Sequence, residues 1–173
     1  MKKRIVSLLL ALMMVLSLVP ATVWAAENHD GQVRVVVENT TYAKANGAAW
    51  DGTLVDKWVD LAPGSSMMDC IVSALGTYSQ TGAESGYISE INGLSAGDGG
   101  EASGWMGTLN DWFTNVGFKD IKAGDKLFAG DIIRVMYTTN GYGADIGGDW
   151  NTQSDTSLAA LSFSEGVLTP DFV

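Results

Sequence analysis

The side chains with most chemistry to offer are the acids and the tryptophans. Two Gly/Asp-rich stretches stand out, SAGDGGEAS at 95–103 and NGYGADIGGDWNTQ at 140–153. The first holds Asp98 and Glu101; the second holds Asp145, Asp149 and Asn151, with Asp155 just beyond. Loops of this kind can offer the six to eight oxygens that Ca²⁺ prefers, so Asp145, Asp149, Asn151 and Asp155 are the candidate metal ligands. Their spacing is not that of an EF-hand, and a plain solvated loop is the competing reading. A pair of carboxylates for glycoside hydrolysis needs a set separation on a rigid floor, which no spacing here specifies. The chain has one histidine and one cysteine. His29 stands in a polar stretch, and Cys70 in an apolar helical run where it reads as a small buried hydrophobe. Zinc sites of the ordinary kind are excluded. No G-x-S-x-G, P-loop or G-x-G-x-x-G opening a helix occurs. With no reaction-class constellation to name, the expectation is a protein that is not an enzyme.

The aromatic residues say more. Trp50, Trp58, Trp105, Trp112 and Trp150 follow the N-terminal apolar run. Trp50, Trp112 and Trp150 lie beside Gly, Asp and Asn in loop-like sequence, and together with Tyr142 they are the candidate ligand-binding residues. Exposed loop aromatics stack on sugar faces or anchor protein contacts. The alternative is that they cap the ends of a small β core.

Positioning such residues takes a folded scaffold. Met1-Lys2-Lys3-Arg4, an apolar run from Ile5 to Val19, Pro20 and the small-residue site Val23-Trp24-Ala25 follow the order of a secretory signal peptide. Residues 1–25 are therefore expected to be cleaved, and the product to be secreted or extracellular. The whole chain carries a net charge of −10, and three of its ten basic residues lie within the first four. So acidic a product disfavours nucleic acid and anionic membranes as partners. A lone cysteine offers no disulfide framework.

Gln32 to Glu38 and Thr53 to Leu61 alternate as strands do. Pro63-Gly64-Ser65-Ser66 announces a helix, with Ser66 and Asp69 spaced as a capping box. Met67, Ile71, Ala74, Leu75 and Tyr78 form its inward stripe, and the helix is expected to fade only at Gly82. Gly86 to Gly93 reads as a short strand entering an Asn92-Gly93 turn. Gly104 to Leu109 is another strand, ended by Asn110-Asp111. Phe113, Val116, Phe118 and Ile121 are expected to be at least partly buried. Asp131 to Thr138 is the strongest strand of all, and 140–153 reads as a loop. Several strands around one helix make an α+β domain.

The order of these motifs resembles an uncharacterised extracellular domain family related to the C-terminal β-domain of transcobalamin and intrinsic factor. Gly104, Trp105, Met106 and Asn110 match its G-W-M-Y-x-V-N-G strand, and Gly130, Asp131, Ile133 and Tyr137 match its G-D-x-I-x-W-x-Y strand. The sequence departs where Gly107 replaces a common aromatic and Asp111 a common glycine. The resemblance covers about 32–140 and implies a small β-grasp-like mixed sheet with one packed helix. Gly104, Trp105, Asn110, Gly130, Asp131 and Tyr137 would be its structural motif residues. The related proteins hold cobalamin only together with a helical barrel, so cobalamin binding is not carried over here, and no ligand-contacting residue is. Leu158, Leu161, Ser164, Gly166, Leu168, Pro170 and Phe172 in turn resemble the opening of a bacterial cadherin-like β-sandwich repeat.

The expected organisation is thus a signal peptide at 1–25, a transcobalamin-like β-grasp-like domain at 26–153, and an incomplete start of a cadherin-like sandwich at 154–173, with other domains of a longer polypeptide as partners. The expected function is a non-catalytic binding module of a secreted or cell-surface bacterial protein, contacting an extracellular protein, glycan or small molecule. The alternative is capture of cobalamin or another small nutrient together with a partner domain.

Overall fold

The computed structural model describes residues 28–148 together with 160–164 and 167–171; for Tyr142 and the two C-terminal segments it describes the backbone only. Strand β1 (Gln32–Asn39) turns through a loop with a short 3-10 segment (Lys44–Asn46) into the antiparallel β2 (Gly52–Asp60). Helix α1 (Met67–Leu75) follows. Three two-residue strands, β3 (Gln80–Thr81), β4 (Glu90–Ile91) and β5 (Leu94–Ser95), make a small antiparallel sheet. Then come β6 (Gly104–Leu109), β7 (Trp112–Phe113) and β8 (Ile132–Thr138). The main sheet has the order β2-β1-β8-β6-β7, with β1 and β8 parallel and the remaining pairs antiparallel. This is the expected α+β architecture, a β-grasp-like mixed sheet with one helix packed on it. Further along, β9 (Ala160–Ser164) and β10 (Val167–Asp171) pair as an antiparallel hairpin. Among the described residues no helix is long and apolar enough to cross a membrane. The expected signal peptide, 1–25, lies outside the described residues.

The core forms between one sheet face and α1. Val33, Val35, Val37, Ile133 and Val135 are all fully buried, and Ile71 and Leu75 meet them from the helix. Alternation places these strand residues on one face, and the apolar stripe of α1 faces it. Ser66 caps the helix as its spacing predicts. Its hydroxyl accepts from the Asp69 N–H, and the Asp69 carboxylate accepts from the Ser66 N–H at 2.8 Å. Two more helix-start donors are satisfied from outside, Met67 N–H by the Ile121 carbonyl and Met68 N–H by that of Phe118. The loop that carries Phe118 and Ile121 is thereby tied to the helix start.

Some expectations need correction. The helix ends at Leu75 and not near Gly82: Gly76, at φ 60°, closes it by donating to the Val72 carbonyl. Tyr78 consequently lies beyond the inward stripe and is 41 % exposed. Val116 is also exposed, because the chain loops outward between β7 and the buried Ile121. Residues 141–146 are a 3-10 helix where a loop was expected. Its Gly/Ala-rich sequence carries no helical apolar stripe, and tertiary contacts, including a close approach of Gly143 to Met106 and Phe113, decide its form.

Candidate functional site

The candidate residues separate cleanly in space. Trp50 is not a loop-tip ligand residue: it is 7 % exposed and part of the core. Its indole N–H donates to the Ile91 carbonyl at 3.0 Å, and its ring stacks on Trp105 at 5.7 Å between centroids. Trp105 is buried too, and its N–H donates to the Leu94 carbonyl at 3.2 Å. The two indoles thus anchor the β3-β4-β5 sheet, each through one of its carbonyls. A large ring whose single donor meets a buried carbonyl is a core arrangement.

The remaining motif residues are structural as well. The Tyr137 ring is fully buried and meets Trp105 edge-on at 5.1 Å. Its hydroxyl donates to the Ser95 carbonyl at 2.8 Å, accepts from the Gly99 N–H at 3.0 Å and contacts the Ser103 hydroxyl at 2.9 Å. One phenol therefore holds the turns of 95–103 against the sheet. A Cβ on Gly104 would approach the Tyr87 hydroxyl to 2.8 Å. Asn110 and Asp131 form a clasp. The Asn110 amide donates to Asp131 Oδ1 at 2.8 Å and accepts from the Ile132 N–H at 2.9 Å, while Asp131 Oδ2 accepts from the Phe128 N–H at 2.8 Å. Gly130, at φ 92°, supplies the left-handed turn that aims Asp131 into this clasp, and its N–H donates to the Gln32 carbonyl.

The clasp fixes the β6–β7 hairpin, whose turn residues Asn110 and Asp111 both have positive φ, 52° and 67°. That is the two-residue turn a tight hairpin favours. Asn and Asp tolerate it where most side chains do not. The hairpin presents Trp112, 52 % exposed, on the edge strand. Beneath it runs a shallow groove of ≈ 250 Å³, whose apolar lining is Leu109, Trp112, Phe113, Val116 and Ile121. Thr114, Asn115 and Lys126 are its polar members. The Lys126 ammonium has no hydrogen-bond or ion-pair partner among the described residues. Trp112 is thus the one candidate aromatic whose side chain is described and accessible. Sequence spacing alone does not mark Thr114, Asn115 and Lys126, since only the fold brings 109–113 and 114–126 together.

The acidic candidates are less complete. The Asp145 carboxylate accepts from the Thr138 hydroxyl and from the Thr139 N–H and hydroxyl, at 2.8 and 2.9 Å for the latter two. Burial would raise its pKa, but these three hydrogen bonds hold it below the ordinary aspartate value. It fastens the 3-10 helix to the end of β8. Asp149, Asn151 and Asp155 lie outside the described residues, as does Trp150, and the side chain of Tyr142 is not described. Among the described residues no three His, Cys, Asp or Glu side chains converge as a metal site would require. Cys70 is buried, and burial pushes its thiol pKa up, so the thiolate is disfavoured.

Two arginines make ion pairs on the sheet face away from α1, and Arg134 also lies 3.7 Å from Asp111 through Nη1. Arg34 Nη2 meets Asp56 at 2.7 Å, and Arg134 Nη2 meets Glu38 at 2.5 Å. Beside them the Thr108 hydroxyl and Arg134 Nε are buried without a hydrogen-bond partner among the described residues.

Residues 64–139 match the family model of a domain of unknown function, DUF4430. The matched span runs from just before α1 to just past β8. It includes all six motif residues, the clasp and the groove beneath Trp112, while the β1–β2 hairpin precedes it. No curated protein matches the sequence.

Proposed function

We propose that this chain, built around a domain of an uncharacterised family, is a non-catalytic binding module of a secreted or cell-surface bacterial protein. In this reading it contacts an extracellular glycan or protein through Trp112 and the groove beneath it. The observation that carries the proposal is the contrast among the tryptophans. Trp50 and Trp105 are committed to the core, whereas Trp112 stands half exposed on a hairpin held rigid by the Asn110–Asp131 clasp. A rigid aromatic over an apolar floor with an amide and an ammonium at hand suits a sugar face or a protein anchor. The relation to the transcobalamin β-domain and a cadherin-like start at 154–173 belong to the same proposal. They make the module one part of a longer polypeptide. Capture of a small nutrient such as cobalamin is the second reading. The grooves among the described residues are shallow, so a small molecule would need a second wall from a partner domain.

The test is an array of bacterial and host glycans and extracellular-matrix proteins probed with wild type and Trp112→Ala. The variant should keep stability within about 0.5 kcal/mol, since the ring is half exposed, and should lose binding at least tenfold. Equal binding by both proteins would remove Trp112 from the proposal.

A further inference from the structure

The opposite edge of the sheet carries a second surface, independent of Trp112. β2 pairs with β1 alone. The Leu61 N–H donates to the Gly31 carbonyl, and the register sets Gln32 against Asp60. Bonded pairs alternate along an antiparallel ladder, so they fall at Val33–Val59, Val35–Lys57 and Val37–Val55. The Arg34 N–H, which donates to the Asp131 carbonyl across the parallel pair, confirms that the even residues of β1 turn toward β8. Beyond the β-bulge at Leu54, where the register shifts between Val37 and Glu38, it follows that Asp56, Trp58 and Asp60 aim their backbone N–H and C=O outward, with no partner among the described residues.

Alongside this edge lies a groove of ≈ 440 Å³ between β2 and the C-terminal end of α1, walled by Leu54, Ala74, Leu75 and the exposed Tyr78. The Lys57 ammonium stands in it with no hydrogen-bond or ion-pair partner among the described residues. Lys57 lies on the same face as Val55 and Val59, both buried. Asp56, by contrast, is already neutralised by Arg34. The groove therefore offers one uncompensated positive charge between two apolar positions, next to a row of free backbone donors and acceptors.

We propose that β2 receives an extended acidic peptide segment as a sixth strand of the sheet. Main-chain bonds to Asp56 and Trp58 would hold it, and alternate side chains would be read on the helix face. The pattern that fits is apolar, any, acidic, any, apolar, with the acid opposite Lys57 and the apolar residues extending the Val55 and Val59 rows. The exposed charge of Lys57 guards the edge against indiscriminate pairing and favours a partner that brings an acid opposite it.

The probe is the peptide acetyl-Thr-Val-Thr-Glu-Thr-Val-Thr-amide, titrated into the ¹⁵N-labelled full chain, with the same peptide carrying Lys for Glu as its counterpart. The expected result is amide shifts centred on Asp56 and Trp58, with slowed hydrogen exchange there. The Glu peptide should bind about two- to fivefold more tightly than the Lys peptide, the range of an exposed ion pair. Lys57→Glu, an exposed substitution that leaves the fold intact, should reverse that preference, and Trp112→Ala should leave the shifts unchanged. Shifts centred elsewhere, no shifts at millimolar peptide, or a preference unmoved by Lys57→Glu would each overturn the proposal.

Discussion

Replacing Trp50 decides whether its indole is core or recognition surface. The ring is 7 % exposed, stacks on Trp105 and gives its N–H to the Ile91 carbonyl. Truncation to alanine leaves a cavity beside Trp105 and an unpaired carbonyl, and large-to-small changes of this kind cost about 3–5 kcal/mol. Trp50→Phe keeps most of the ring packing but removes the donor, leaving the buried Ile91 carbonyl unsatisfied at a cost of about 1–3 kcal/mol. Urea unfolding followed by circular dichroism measures both, with the midpoint falling and the slope unchanged if the native state stays compact. At about 4 °C per kcal/mol for a domain of this size, Trp50→Ala should lower Tm by roughly 12–20 °C. A loss below about 1 kcal/mol for Trp50→Ala would refute the packing argument, since a buried ring cannot be cut away so cheaply. So would a Trp50→Phe protein that keeps its stability and loses ligand binding.

The capping box sets an acid-side stability. Hydrogen bonds from the Ser66 backbone and hydroxyl hold the Asp69 carboxyl below its ordinary value of 3.8. Its contribution is therefore complete above that pH and is lost as pH falls through the lower folded value. Asp69→Asn should flatten the stability–pH curve below about pH 4, and Ser66→Ala should cost about 1 kcal/mol at neutral pH, both read by thermal melts. Gly82 has φ 99°, and a Cβ there would lie 2.1 Å from the Tyr87 carbonyl oxygen, whereas Gly64, at φ 79°, has nothing within 4 Å. Gly64→Ala should then cost only the left-handed penalty of about 1–2 kcal/mol, and Gly82→Ala clearly more in the same denaturation assay. Thr108→Val deletes a buried hydroxyl with no partner among the described residues, so it should be neutral or stabilising; a loss above about 1 kcal/mol would show that the hydroxyl is bonded after all.

What could be read from the sequence was what local chemistry decides. The Ser66–Asp69 capping box, the alternating valines of β1 and the apolar run of β8 each announce themselves within ten residues, and each formed where expected. The Asn92-Gly93 dipeptide likewise makes the tight turn between β4 and β5, with φ 49° and 80°. What could not be read depends on partners distant in sequence. Trp50 resembles a loop tip because Ala48, Ala49, Asp51 and Gly52 surround it; only the arrival of Ile91 and Trp105 makes that position interior. Helical spacing overshoots the helix end because Tyr78 continues it, although Gly76 has already broken the chain direction. The groove beneath Trp112 was half visible. The aromatic was marked by its Asn-Asp neighbour pair, but Asn115 and Lys126 join it only through the fold.

Charge places a further condition on how this molecule meets a partner. The net charge is −10, and both sheet arginines are paired, with Asp56 and Glu38. One lysine lines each of three grooves: Lys57 beside β2, Lys119, whose ammonium donates to the Glu84 carbonyl, beside the start of α1, and Lys126 beneath Trp112. At physiological ionic strength charges beyond about 8 Å are largely screened, so an acidic partner feels little long-range repulsion and little attraction until it touches. Association is then unsteered, with an on-rate near the neutral range of about 10⁵–10⁶ M⁻¹s⁻¹. Discrimination falls to contact geometry: a backbone ladder and one ammonium at the β2 edge, a rigid indole and one ammonium at the β7 edge. A lysine held at each short-range contact gives an acidic surface local selectivity without making it adhesive to every anion in its surroundings.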